Sequence, residues 1–319
     1  MANIVITEKC NLNCSYCFSN DIVNKEIKEI SQEDFIKAIE FIKGEKKDCT
    51  VGIIGGEPLL HPNFDGLMEI LCQDDNITNV HIFTNGILID KYIDQLQDSK
   101  FSFLINVNNP EVIGKTNYER IRKNIALLKT AFNKSDRITL GLNIYGIDLD
   151  YSYYLNLIDE FGFKHARISI VVEKNNVNAL SRFQKYNQTV FNLIKELWKR
   201  KILFRFDCNY PPNCAWDKTQ QLKIELIQQN LESWGVNLDR ACCKPVIDIL
   251  PDLYAIRCFG LSKSSRVRIK DFSTITQLYD YYVQEFDSKV FESCPYELCQ
   301  TCDQFLNKKC HAGCLSNRF

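Results

Sequence analysis

Short runs rich in β-branched and aromatic residues alternate with amphipathic stretches along the first two thirds of the chain. NIVIT (3–7), TVGII (50–54), VHIFT (80–84), FSFLINV (101–107), ITLGLNI (138–144) and ARISIVV (166–172) each have the length and composition of a strand. Helical patterns fill the gaps. Ser31 with Asp34 opens one helix, whose apolar face is Phe35, Ile36, Ile39 and Ile42, and residues 63–75, 87–97, 117–131 and 150–161 supply the others. Six β/α units in a row predict a parallel sheet with right-handed crossovers, open or curled into a partial barrel. A helix over 184–200 and a strand over ILFRFD (202–207) follow, and there the alternation stops.

In such sheets ligands gather at the carboxyl ends of the strands. Three cysteines follow strand one, GGEP (55–58) follows strand two and TNG (84–86) follows strand three; Asn106 and Asn108 end strand four and Asn143 ends strand five. Polar markers at successive strand ends predict one shared site.

Composition narrows the setting more than the function. The chain has 319 residues, 45% of them hydrophobic, enough for one large core and a smaller module. A formal net charge of -1 gives no general electrostatic reason to expect nucleic acid or an anionic membrane. No signal peptide or membrane-spanning run is visible, so the sequence reads as cytoplasmic. In a reducing cytosol, fifteen cysteines point to metal binding or reactivity rather than to disulfides.

Cys10, Cys14 and Cys17 lie on one loop, and three thiolates leave a fourth coordination position open. A closed structural zinc site needs four ligands. A [4Fe-4S] cluster held by three cysteines instead keeps one iron free to bind a small molecule. With the aromatic Tyr16 just before the last cysteine, the spacing resembles the CxxxCxΦC signature of radical S-adenosylmethionine (radical SAM) enzymes, and GGEPLLHP resembles that family's second motif. The resemblance covers residues 1–200. It implies a partial (β/α)6 TIM barrel in which the free iron chelates S-adenosylmethionine, cleaved reductively to a 5′-deoxyadenosyl radical that takes hydrogen from a substrate. It further implies that Gly55 and Gly56 let the backbone approach the ligand, that Glu57 helps to fix the methionine amino group, and that Tyr16 lies along the adenine. Asn85, Asn106 and Asn143 are candidates for ribose and carboxylate contacts, or equally for strand-end caps.

Ten of the cysteines lie from Cys208 onward. Residues 299–314, CQTCDQFLNKKCHAGC, resemble the core of the SPASM extension of radical SAM peptide maturases, with two extra residues between Cys302 and Cys310. Cys243 and Cys258 resemble the pair that opens that module, although Leu253 stands where the family has glycine. The resemblance implies two auxiliary [4Fe-4S] clusters: one on Cys243, Cys258 and Cys314, completed by Cys214 or Cys208 in preference to Cys242, and one on Cys299, Cys302, Cys310 and Cys294. A zinc ribbon is the alternative. The organisation expected is a barrel over 1–200, a bridging strand and helix over 201–240, and a small cysteine-rich SPASM-like domain over 241–319.

Such an extension implies a ribosomally made precursor peptide as substrate, with a thioether or carbon-carbon crosslink, backbone splicing or a similar modification as outcome. Strand one begins at Asn3, so leader recognition is expected from a separate small protein, and electrons from a flavodoxin or ferredoxin. A radical SAM dehydrogenase or carbon-skeleton enzyme acting on a small molecule is the alternative. Pro211 and Pro212 stiffen a loop that carries Tyr210 and Trp216 after the last strand, either as the lining of a peptide channel at the mouth of the expected site or as a plain linker.

Overall fold

A computed structural model describes residues 2–44, 46–132, 137–171, 179–207, 211–233 and 243–317. It divides into two compact units, one of Met1–Leu140 with Pro245–Tyr282 and one of Gly141–Lys244 with Val283–Phe319.

The first unit is built on strands β1 (Ala2–Thr7), β2 (Cys49–Gly55), β3 (Ile77–Thr84) and β4 (Phe101–Asn106), paired in parallel. Every residue of β1 is buried, as expected of a strand covered on both faces. Ile4, Ile6 and Ile53 of the sheet and Phe35 and Phe64 of the covering helices are all within 1% of full burial. Helix α1 (Gln32–Lys43) begins as the sequence predicts: the Ser31 hydroxyl accepts from the Asp34 N–H at 3.1 Å, Glu33 and Asp34 sit at the positive end and Lys43 at the negative end. Helices α2 (Phe64–Gln73) and α3 (Lys115–Ala131) occupy the predicted gaps.

Residues 87–97 do not form the predicted helix but two 3-10 turns, Ile89–Lys91 and Gln95–Gln97. Gly86 takes φ +80°, and the buried Asn124 of α3 donates to the carbonyls of Gly86 at 2.8 Å and Ile87 at 3.1 Å. An α-helix starting there would need those carbonyls for its own first turn.

Residues 245–282 extend this same sheet. β8 (Asp248–Ile249) pairs parallel to β1, and β9 (Tyr254–Ile256) and β10 (Val267–Arg268) continue it antiparallel, giving the order β10-β9-β8-β1-β2-β3-β4. The compact units therefore divide elsewhere than at the sequence boundaries 200 and 241, because apolar Val5, Leu250, Ile256 and Phe259 share one core cluster. The β8–β9 turn holds Leu253 at φ +60°, with its N–H donating to Leu250 O at 3.0 Å. This is the position where the resembled module carries glycine, and a branched side chain there costs about 1 kcal/mol of backbone strain. Leu253→Gly is accordingly expected to leave the denaturant midpoint nearly unchanged, within about 1 kcal/mol, because the relief of strain is offset by the greater freedom glycine gives the unfolded chain.

In the second unit β6 (His165–Ile170) pairs parallel with β7 (Leu203–Phe206), and Val171 N–H donates to Ile144 O, the last residue of β5 (Ile138–Ile144), at 2.9 Å. Helices α4 (Ser152–Phe161), α5 (Ala179–Lys199) and α6 (Lys218–Ser233) accompany them. The last cysteines lie on a 3-10 turn (Glu297–Thr301), a single helical turn (Asp303–Leu306) and the loop beyond it. Among the described residues no helix is long and apolar enough to cross a membrane.

Candidate functional site

The loop from Glu8 to Lys28 leaves the carboxyl end of β1 and is closed at its base, where Glu8 N–H donates to Lys28 O at 2.9 Å. It carries Cys10, Cys14 and Cys17, with Cys17 N–H donating to Cys14 O at 3.1 Å to fold the second half into a turn. Cys10 is held by Asn24, whose Oδ1 accepts from the Cys10 N–H at 2.8 Å and whose Nδ2 donates to the Cys10 carbonyl at 3.1 Å. Asn24 adopts φ +56° and anchors its own N–H on Glu8 O at 2.9 Å, so a left-handed asparagine aims both side-chain atoms back at Cys10. Sequence reading misses it: the signal is one asparagine in an irregular loop.

The GGEP segment supports this loop directly. Gly56 N–H donates to Thr7 O at 2.9 Å and Glu57 N–H donates to Lys9 O at 2.8 Å. A β-carbon on Gly55 would lie 2.3 Å from Thr7 O, and one on Gly56 would lie 2.4 Å from Lys9 O and 3.0 Å from Cys10 Cβ. What the two glycines admit is the backbone of the cysteine loop.

Glu57 is 0% exposed, and its carboxylate accepts from Thr84 Oγ1 at 2.6 Å, Asn85 N–H at 2.7 Å and Leu59 N–H at 3.3 Å. It clamps the ends of β2 and β3 together. Burial outweighs those hydrogen bonds and pushes its carboxyl up to about 7. Asn85 in turn donates from Nδ2 to Asn11 Oδ1 at 2.8 Å, fastening the end of β3 to the cysteine loop, while its own Oδ1 accepts from the Ile87 N–H at 3.0 Å.

Tyr16 donates its hydroxyl to Asn108 Oδ1 at 2.6 Å, and the Cys14 thiol points to the same oxygen at 3.9 Å. Asn108, not Asn106, thus carries the side-chain contact from the end of β4; the Asn106 carbonyl accepts from Asn108 Nδ2 at 3.3 Å. Asn143 lies on β5, in the part that belongs to the second unit. His61 works as a local tie, its ring nitrogens meeting Ile30 O at 3.0 Å and the Asn63 N–H at 3.2 Å, and burial lowers its pKa.

Burial, the Glu57 carboxylate and the neighbouring Cys17 and Cys14 thiols together push the Cys10 thiol up to about 12, and burial likewise raises Cys14. A thiolate trio gathered in this way needs a cation, and the donor set is that of a thiophilic metal or iron–sulfur cluster. Among the described residues no three His, Cys, Asp or Glu side chains are closed to metal-binding distance, so the thiols are neighbours on one loop and not a finished cage.

In the second unit Cys214 feels the charge of Cys310, Cys299 and Cys302, and with loss of water its thiol is pushed up to about 11. Cys299 has Cys310, Cys302 and Cys294 as charged neighbours. Cys214 thus lies near Cys299, Cys302 and Cys310 in this unit. Gly313, at φ +99°, passes close to Pro212 and Phe183, where a β-carbon would meet Phe183 Cε2 at 3.0 Å. His311 Nδ1 meets the Cys243 carbonyl at 3.0 Å. Cys243 and Cys314 lie in this unit and Cys258 in the first; Cys208, Cys242 and Tyr210 fall outside the described residues.

Comparison with known proteins addresses this arrangement. A probable GTP 3',8-cyclase of Methanococcus maripaludis is 33% identical over 143 residues, 43% of this chain and 45% of that protein. The GTP 3',8-cyclase of Staphylococcus aureus strain Mu3 is 28% identical over 179 residues, 52% of each. The matches span about half the length of these curated relatives. Among solved structures, Streptococcus suis SuiB bound to precursor peptide SuiA superposes with a TM-score of 0.64 at 17% identity, over 99% of this chain and 72% of that one. Native anSMEcpe with bound AdoMet superposes with a TM-score of 0.67 at 17% identity, over 98% and 88%. At such identities these structures establish the fold. Residues 4–150, which contain the cysteine loop, the glycine pair, Glu57 and both asparagine ties, match the family model of the Radical SAM superfamily.

Proposed function

We propose that the protein is a radical SAM enzyme that modifies a ribosomally made precursor peptide. The observation that carries the reading is the cysteine loop of residues 8–28, seated on the Gly55–Gly56 backbone and tied to the ends of β3 and β4 by Asn85 and Tyr16. Cys10, Cys14 and Cys17 would hold a [4Fe-4S] cluster. When bound, cluster and S-adenosylmethionine supply a 5′-deoxyadenosyl radical. The chain's part is to seat the loop, orient the bound molecule and keep water away. Asn24 fixes the Cys10 backbone, Glu57 locks β2 to β3, and Tyr16 with Asn108 forms a polar wall beside Cys14.

A peptide substrate is supported by the fold shared with SuiB, whose structure holds a precursor peptide, over nearly the whole chain. Cys299, Cys302 and Cys310 would hold an auxiliary cluster, with Cys294 or the neighbouring Cys214 as its fourth ligand. A separate leader-binding protein and a flavodoxin or ferredoxin complete the expected system. The second reading is a small-molecule enzyme, favoured by the names of the sequence relatives; those matches cover 43–52% of this chain.

Anaerobic reconstitution tests the proposal. Absorbance near 400 nm, iron in excess of one cluster per chain, and 5′-deoxyadenosine formed with dithionite are expected, with cleavage abolished when Cys10, Cys14 and Cys17 become alanine. Stoichiometric zinc and no cleavage by the intact chain would overturn it. Turnover of GTP in place of peptide would move the substrate to the second reading.

A further inference from the structure

Cys10 is held by Asn24, and Cys14 has the Tyr16–Asn108 pair beside it. Cys17 has a different kind of support. It opens a compact turn in which Asn20 N–H donates to Cys17 O at 3.3 Å, and Ile22 and Val23 N–H donate to Ser19 O at 2.9 and 3.0 Å. Two apolar side chains of this turn, Phe18 and Ile22, reach the same place. Phe18 meets Phe259 edge to face, with ring centroids 5.3 Å apart and planes at 81°. Ile22 packs against the buried cluster of Val5, Leu250, Ile256 and Phe259. Phe259 is itself buried and follows β9 on the 3-10 turn Phe259–Leu261, within the segment that extends the sheet of the first unit.

Two ion pairs flank this seat, Asp21 with Lys263 at 3.5 Å and Lys28 with Asp252 at 3.0 Å. Their cations stand largely in water, where such pairs contribute little. The aromatic contact contributes more, and it is directional: an edge on a ring face holds only over a narrow range of positions. Phe18 remains 44% exposed, so its placement comes from the Phe259 ring and not from enclosure in a core. The residue bonded to Cys17 is therefore fixed by one partner, far along the chain.

We propose that Phe259 is a positioning residue for Cys17, fixing through the Phe18 ring the direction in which the loop presents its third thiol. The sheet extension over residues 245–282 thereby takes part in building the cysteine loop. The use of that thiol in catalysis rests on the radical SAM reading above; its positioning does not.

The test is the rate at which iodoacetamide alkylates each loop thiol in the full-length apo protein under anaerobic, reducing conditions, resolved by peptide mass mapping. Phe18→Ala is expected to raise the Cys17 rate about 10-fold and to leave Cys10 within about twofold, because Asn24 still holds Cys10. Phe18→Tyr keeps the ring and should restore the wild-type rate. Phe259→Leu keeps apolar bulk but loses the ring, and should reproduce Phe18→Ala from a position remote in sequence, which a mere neighbour effect of residue 18 would not. Lys263→Ala removes a flanking ion pair and should leave Cys17 within about twofold. The proposal is wrong if Phe18→Ala leaves Cys17 unchanged, if it speeds Cys10 and Cys17 equally, or if Lys263→Ala speeds Cys17 as much. Selective exposure of Cys17 in a chain whose reconstituted wild type cleaves no S-adenosylmethionine would remove the enzyme reading and leave the positioning. Cleavage by the wild type with an unchanged Cys17 rate in Phe18→Ala would do the reverse.

Discussion

Glu57→Ala is expected to destabilise the apo protein by about 3–5 kcal/mol, seen as a fall in denaturant midpoint at unchanged slope. The substitution strands three donors at once, the Thr84 hydroxyl and the N–H groups of Asn85 and Leu59, where no solvent reaches. It also parts the ends of β2 and β3 that carry the glycine pair and Asn85, so the cysteine loop should lose its seat. Glu57→Gln is milder, because an amide oxygen still accepts from Thr84 and Leu59, while its NH2 group opposes the Asn85 N–H.

The two variants separate hydrogen bonding from charge. Burial raises the Glu57 carboxyl from 4.5 to about 7, so the folded chain binds the proton more tightly than the unfolded chain. The stability from this group is fully present below pH 4.5 and is lost as pH rises through about 7. At about 1.4 kcal/mol per pH unit this is on the order of 3 kcal/mol, and it is absent from Glu57→Gln. Unfolding of wild type and Glu57→Gln across that pH range should therefore converge as pH rises; parallel curves would show that Glu57 is ionised throughout.

Much of this site is legible in sequence because strand ends are set by short-range signals. The run ITLGLNI appears as β5 at its predicted bounds, and Ser31 caps α1 through the Asp34 N–H that its spacing indicates. The cysteines and GGEP are likewise visible as spacing. Contacts made through space are not. Asn24 reaches Cys10 across fourteen residues of irregular loop by taking a left-handed conformation, and Asn11 meets Asn85 from 74 residues away. The helix expected at 87–97 fails for the same reason, since Asn124 of a later helix takes the carbonyls it needs. The extension of the sheet by β8 was hidden by brevity: a two-residue strand has no periodicity to read.

Those contacts converge on Gly56, and Gly56→Ala carries the other large effect. Its new methyl would stand 2.4 Å from the Lys9 carbonyl oxygen and 2.6 Å from the carbonyl carbon, both backbone atoms that cannot turn aside as a side chain can. Either β2 or the cysteine loop has to move, and the loop is the less buried of the two. Moving it breaks the Gly56 N–H to Thr7 and Glu57 N–H to Lys9 bonds and shifts Cys10, whose Cβ would lie 3.0 Å from the same methyl. Overpacking of this kind costs about 1–3 kcal/mol. Displacing a positioned group by about 1 Å lowers rate on the order of 10²-fold, so S-adenosylmethionine cleavage should fall by about that factor. Gly146→Ala is the matched control: nothing lies within 4 Å of its added methyl, and a stability change within about 0.5 kcal/mol is expected. Iron content and cleavage measured on both variants decide the matter, for if Gly56→Ala incorporates iron and cleaves the cofactor as Gly146→Ala does, the glycine pair does not seat the loop.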